Sequence, residues 1–159
     1  MTDLERMLIE HACARLQALY CIHADRRETE AFVQLFTKDA SIKVPEHPAF
    51  VGHEAIRWSI EALAALPVTM RHIMTNPVVT VTSPQTATGL CYLTVWNSAA
   101  PADENGWRPV EPPGTIGEYS DTFTRTAHGW RFASRELVRV FRNVDATQRA
   151  AAGKTTSGQ

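Results

Sequence analysis

The second half of the chain most restricts what it can fold into. Residues 69–81, 86–99, 115–126 and 130–142 are rich in Thr, Val, Tyr, Phe and Trp, with turn signals between them. Runs of that composition and length predict strands. Ser83-Pro84 breaks the first pair, and Ala127-His128-Gly129 marks a tight hairpin in the last. Hairpin-joined strands pair antiparallel, so this half predicts one antiparallel sheet.

The first half has helical spacing instead. Leu4, Met7, Leu8, Leu16, Leu19 and Tyr20 recur at roughly helical intervals with Glu5, Arg6, Glu10 and Arg15 between them, predicting an amphipathic helix from Leu4 to about His23. Asp25 followed three residues later by Glu28 reads as a capping box opening a second helix through Ala31, Phe32, Leu35 and Phe36. A short strand, Ser41 to Val44, and a turn through Pro45 and Pro48 come next. Ile56, Ile60, Leu63 and Ala64 predict a third helix over 53–66, ending before Pro67. Helices first and hairpin-linked strands after them indicate an α+β domain. A strongly curved sheet covered on one face by such helices leaves a cone whose mouth can admit a ligand.

Two segments stand outside this pattern. Residues 100–114 hold Pro101, Pro109, Pro112 and Pro113 and are too long for an ordinary hairpin loop, so they form a lid, an interface arm or a mobile excursion. Residues 145–159 are dominated by Ala, Gly, Thr and Ser and are expected to be a disordered tail after a single domain over 1–144. Gly153-Lys154-Thr155 imitates the end of a phosphate-binding loop, but the required glycine five positions before Gly153 is Gln148.

Charge and composition exclude several functions. The formal net charge is −1, acids and bases are mixed, and no basic stripe is present, so nucleic acid is not an expected partner. No apolar run approaches the roughly 20 residues that span a bilayer, and Asp3, Glu5 and Arg6 replace the apolar core of a signal peptide. Cys13, Cys21 and Cys91 are odd in number and lack CxxC spacing, which fits buried thiols in a reducing cytoplasm. The scattered His11, His23, His47, His53 and His128 offer no metal-ligand set, and His47 and His53 beside Pro48 are expected to be solvated.

The order of elements resembles the NTF2-like cone, and more narrowly its SnoaL-like enzymes. The residues that carry the resemblance are Tyr20 with Asp25-Arg26-Arg27, Leu35-Phe36 with Asp39-Ala40, and Gly52-His53-Glu54-Ala55-Ile56. Arg71-His72 with Asn76, and Tyr119-x-Asp121 running into Gly129-Trp130-Arg131, complete the set. The resemblance covers roughly residues 3 to 142. In the resembling scytalone dehydratase, bile-acid dehydratase and lindane dehydrochlorinase an Asp–His dyad removes a substrate proton, which implies that role for Asp25 and His72. A carboxylate on one imidazole nitrogen fixes the tautomer and leaves the other to act as base. Without that role, Asp25 is a helix cap and His72 a core histidine sharing a face with Met70 and Met74.

Tyr20 matches a tyrosine of the bile-acid dehydratase pattern, where the dehydrochlorinase has lysine, so dehydration is favoured over dehydrohalogenation. Being five residues from Asp25, it converges on the dyad only if the helix ends near Ala24. Arg135, five residues after Trp130, matches an arginine in the dehydrochlorinase pocket and is a candidate for holding an anionic leaving group or a substrate oxygen. Trp96, Asn97, Tyr119 and Phe123 are candidate pocket-wall residues. The steroid-isomerase branch needs a carboxylate where this chain reads Lys43-Val44-Pro45.

The expected function is therefore a cofactor-independent lyase, of dehydratase type, or an isomerase acting on a small apolar ring-containing substrate. Rivals are a non-catalytic small-molecule-binding protein and a small structural subunit of a ring-hydroxylating oxygenase. The expected assembly is a homodimer or homotrimer, because open sheets of this fold pair through their outer face.

Overall fold

The computed structural model describes residues 1–110 and 112–143; the expectations for 145–159 and for Gly153-Lys154-Thr155 lie outside the described residues. The elements run α1 (Asp3–Arg26), α2 (Thr29–Val33), β1 (Phe36–Lys43), β2 (Phe50–Val51), α3 (Gly52–Ala64), β3 (Thr69–Ser83), β4 (Thr86–Ser98), β5 (Thr115–Thr126) and β6 (Gly129–Arg142). The six strands form one curved, unclosed sheet in the order β2-β1-β6-β5-β4-β3. Every pairing is antiparallel except β1 with β6, which the α3 excursion allows to run parallel. The fold is α+β, with the N-terminal helices on a mainly antiparallel sheet.

Helix α1 departs from the sequence reading at both ends. Its capping box is Thr2 with Glu5: the Thr2 hydroxyl accepts from the Glu5 N–H at 3.2 Å, and the Glu5 carboxylate accepts from the Thr2 N–H at 2.7 Å. The buried stripe is Ile9, Cys13, Leu16, Gln17, Tyr20, Cys21 and Ala24, one face at helical period. Leu4, Met7 and Leu8 belong to turns that precede this stripe and stay exposed. The helix continues through Asp25 and stops at Arg27, whose φ of 59° is left-handed. Closing bonds run from the Arg27 and Glu28 N–H groups to the carbonyls of Ala24 and His23.

The expected Asp25–Glu28 capping box is thus corrected. Helix α2 begins only at Thr29, its N-cap is Glu28, and no side chain caps it. Leu35 and Phe36 do not extend α2, since β1 starts at Phe36 and pairs with β6 through Phe132. His53 also differs from expectation: its Nε2 lies 3.1 Å from the Phe36 carbonyl, half-buried rather than solvated.

The core lies between α1, α2, α3 and the concave face of the sheet. Phe32, Phe36, Phe123, Phe132, Tyr20 and Tyr119 meet there in a continuous set of ring contacts. All three cysteines are free and buried, and burial pushes the Cys13 and Cys91 thiols up to about 12 and Cys21 to about 11. No helix among the described residues is long and apolar enough to cross a membrane.

Candidate active site

A cavity of about 380 Å³ opens between α1, α3, β1, β2 and the start of β3. Its walls are mostly apolar, including Phe32, Ile42, Phe50, Trp58 and Leu63. The polar side chains that reach it are Tyr20, His47, Ser59 and His72, and the Ser59 hydroxyl is turned back to the Ile56 carbonyl at 2.7 Å. Such a cavity, apolar with few polar points, suits a small organic molecule.

His72 stands on the inward-facing side of β3, with Met70 and Met74 beside it on the same face. Its Nδ1 lies 2.7 Å from Asp25 Oδ1, and its backbone N–H donates to both carboxylate oxygens at 3.2 and 3.0 Å. Both side chains are about 10% exposed. A carboxylate accepts only, so Nδ1 donates to it, and in the neutral ring Nε2 keeps its lone pair. Asp25 stands behind the ring and does not line the cavity.

Arg27 braces this arrangement from the helix end. Its guanidinium donates to the carbonyls of Leu66 and Val68 at 2.9 and 2.7 Å, tying the turn before β3 to the end of α1. Tyr20 lines the same cavity as His72 although the helix runs on to Arg26, so the two side chains share the cavity without the helix stopping at Ala24. Burial raises the Tyr20 phenol above its ordinary range, with the Arg135 charge opposing that shift.

Arg135 does not reach the cavity. It is 1% exposed and forms a bidentate pair with Asp121, Nε to Oδ1 and Nη2 to Oδ2, both at 2.7 Å. Gln17 Nε2 donates to the same carboxylate at 2.8 Å. The guanidinium carbon sits 4.2, 4.0 and 4.4 Å from the rings of Tyr20, Tyr119 and Phe132. Enclosed this way, Arg135 has no path to a leaving group, and its contact with the cavity runs through the Tyr20 ring. Tyr119 and Phe123 are core residues behind that ring. Trp96 and Asn97 line a separate shallow depression with Met70, Arg71 and Arg108, away from the cavity.

Sequence reasoning missed the Asp121–Gln17 contact, and it missed that His47, exposed as expected, also lines the cavity. Asp121 lay in plain view in the alternation Tyr119-x-Asp121-x-Phe123, which puts it on the inward face opposite Arg135. Among the described residues, no three His, Cys, Asp or Glu side chains form a group that could hold a metal ion.

The SnoaL-like domain model matches residues 5–136. The chain belongs to the SnoaL-like family. Solved structures share its fold. A candidate scytalone dehydratase from Novosphingobium aromaticivorans is similar at 21% identity and TM-score 0.75, covering 90% of this chain and 91% of that one. An NTF2-like protein with a cystatin-like fold from the same organism is similar at 25% identity and TM-score 0.74, covering 91% and 90%. Hexachlorocyclohexane dehydrochlorinase LinA-type3 from Novosphingobium barchaimii is similar at 16% identity and TM-score 0.74, covering 89% and 93%. No curated protein matches the sequence. The SnoaL-like cone of this chain carries His72 on the wall of its apolar cavity, with Asp25 behind the ring.

Proposed function

We propose that this SnoaL-like protein is a cofactor-independent lyase that dehydrates a small, ring-containing substrate. His72 Nε2 takes a proton from the carbon next to an electron-withdrawing group. The electron pair left behind forms the double bond, and the carbon–oxygen bond at the next carbon breaks. The Tyr20 phenol protonates the departing hydroxide, and the proton on His72 then restores the phenol, so water is the only by-product. Asp25 holds the imidazole tautomer and stabilises its cation. The same set can serve an isomerase, with Tyr20 holding the enolate oxygen.

The observation that carries this reading is the 2.7 Å contact of His72 Nδ1 with Asp25 on the wall of a cavity that Tyr20 also lines. Similarity in fold to a candidate scytalone dehydratase and to a dehydrochlorinase supports a lyase-type or ligand-binding role. Cyclic β-hydroxy ketones, followed by the absorbance of the enone formed, are the first panel to test. The companion measurement is histidine titration by NMR on the wild type and on Asp25→Asn. A change in the tautomer or titration of His72 in the variant is expected. Six histidines indifferent to the substitution, with ring compounds bound but recovered unchanged, would instead make this a binding protein.

The same reading takes residues 1–144 as one cytoplasmic domain that assembles as a homodimer or homotrimer. Its support is the outer face of the sheet, where Tyr92 and Val138 flank Glu118 in one row and Ile73, Leu90 and Val140 are exposed nearby. Sedimentation as a monomer at micromolar concentration would refute the assembly.

A further inference from the structure

One titratable side chain in the cavity is left unused by the elimination. His47 lines the same space as Tyr20 and His72, yet it arrives from the opposite end of the sheet. It stands on the turn between β1 and β2, the pair at one edge, whereas His72 belongs to β3 at the other edge. Five strand spacings of roughly 4.8 Å would hold those edges about 24 Å apart in a flat sheet. Only the curl of the sheet brings both imidazoles to one cavity, and it brings them from opposite sides.

The turn sets the ring, which is itself exposed, at the rim of the cavity. Glu46, the residue before His47, has φ of 70°, a left-handed conformation that a non-glycine residue seldom adopts without a reason. Its carboxylate accepts from Arg139 Nη1 at 3.0 Å, and the His47 N–H donates to the Val44 carbonyl at 3.4 Å. The imidazole lies 6.3 Å from the Phe50 ring, which lies 5.9 Å from Trp58, so the three rings make an aromatic rim. The bonds that shape the turn use the His47 backbone and the Glu46 carboxylate. They leave the imidazole nitrogens to the cavity mouth. Among the described residues, no lysine or arginine lines this space.

We propose that His47 is the second polar pole of the cavity. Its imidazole hydrogen-bonds an oxygen at the end of the substrate remote from His72. The site therefore selects neutral compounds of one or two fused rings with oxygen functions at both ends, in keeping with a volume of about 380 Å³. The inference rests on the cavity being the substrate site, and it does not require that His72 act as a base.

Three unreactive probes test it: 6-hydroxy-1-tetralone with oxygens at both ends, 1-tetralone with one, and tetralin with none. Wild-type protein is expected to bind 6-hydroxy-1-tetralone about tenfold more tightly than 1-tetralone, the value of one neutral hydrogen bond. His47→Ala should erase that preference while leaving the affinity for 1-tetralone and the melting temperature unchanged. His47→Gln, which keeps an N–H donor, should restore part of it. In imidazole NMR spectra the His47 signals should move with the hydroxylated probe, both in wild type and in Asp25→Asn. A preference that survives in His47→Ala, His47 signals that stay still, or binding of neither tetralone overturns the proposal. An Asp25→Asn variant that leaves the His72 tautomer unchanged while the His47 preference stands would overturn only the dyad.

Discussion

Asp25 and Asp121 each hold a nitrogen base or cation at 2.7 Å, and the surroundings of the two pairs differ in almost every other respect. Asp121 and Arg135 are fully buried, joined by two parallel bonds, supported by Gln17 and enclosed by three rings. Asp25 and His72 keep about 10% of their side-chain surface, and one imidazole nitrogen remains uncommitted beside a cavity. The first pair has its strongest bonds turned inward and no route for a substrate. The second is held firmly on one side and open on the other, which is what a proton-transfer group requires. Distance alone therefore does not separate a structural pair from one proposed for chemistry. The spare valence and the access to space do.

The largest effect expected from breaking this comparison is on stability. Asp121→Asn leaves a guanidinium in the core without its counter-charge and should cost about 3–5 kcal/mol, read from urea unfolding. Burial holds the thiols of Cys13, Cys21 and Cys91 at about 12, 11 and 12, so at neutral pH they should resist iodoacetamide in the wild type. In Asp121→Asn all three should label much faster, because the same core opens more often. Slow labelling and unchanged unfolding would show that the Arg135 charge is relieved some other way.

The next effect is on turnover rather than stability. His72→Gln is expected to lower the dehydration rate at least about a hundredfold while shifting unfolding by no more than about 1 kcal/mol. Asp25→Asn should fall between the two cases. It loses a charged acceptor of the His72 N–H and should cost about 1–2 kcal/mol, with a rate loss approaching that of His72→Gln. If Asp25→Asn proved as destabilising as Asp121→Asn yet left the rate intact, the proposed division of labour would be reversed.

How far this contrast could be read in the sequence follows from the range of the interactions involved. The long strands were legible because composition and turn residues act locally: 115–126 coincides with β5, and β3, β4 and β6 differ from expectation by one or two residues at an end. Asp25 misled for the same reason. Its spacing to Glu28 satisfies a local capping rule, but the carboxylate is taken by His72, 47 residues away, and the helix runs on beneath it. Arg135 and His47 depend on tertiary shape in opposite ways. The strand pairing that buries Arg135 against Asp121 is set across a hairpin, and the curl that brings the exposed His47 to the rim of the cavity is set by the whole sheet. Neither burial nor curl is encoded within a few residues, so the sequence named Arg135 for the cavity, and its reading of His47 as solvated, which the exposed ring bears out, did not reveal that His47 also lines the cavity.

The smallest effect expected is at Tyr20, which belongs to both regions. Its ring covers the Arg135 guanidinium at 4.2 Å, while the residue also lines the cavity that His72 shares. Tyr20→Phe keeps the ring and removes only the hydroxyl, so unfolding should move by about 1 kcal/mol or less. Turnover should fall by about tenfold, the share of one hydrogen-bonding group, because hydroxide would have to leave without the phenol's proton. Tyr20→Leu removes the ring as well and exposes the guanidinium to the cavity, so stability and rate should then drop together. A loss in rate with Tyr20→Phe but not in stability assigns the hydroxyl to the chemistry. A loss in stability alone would assign Tyr20 to the Arg135 enclosure and leave the departing oxygen to water.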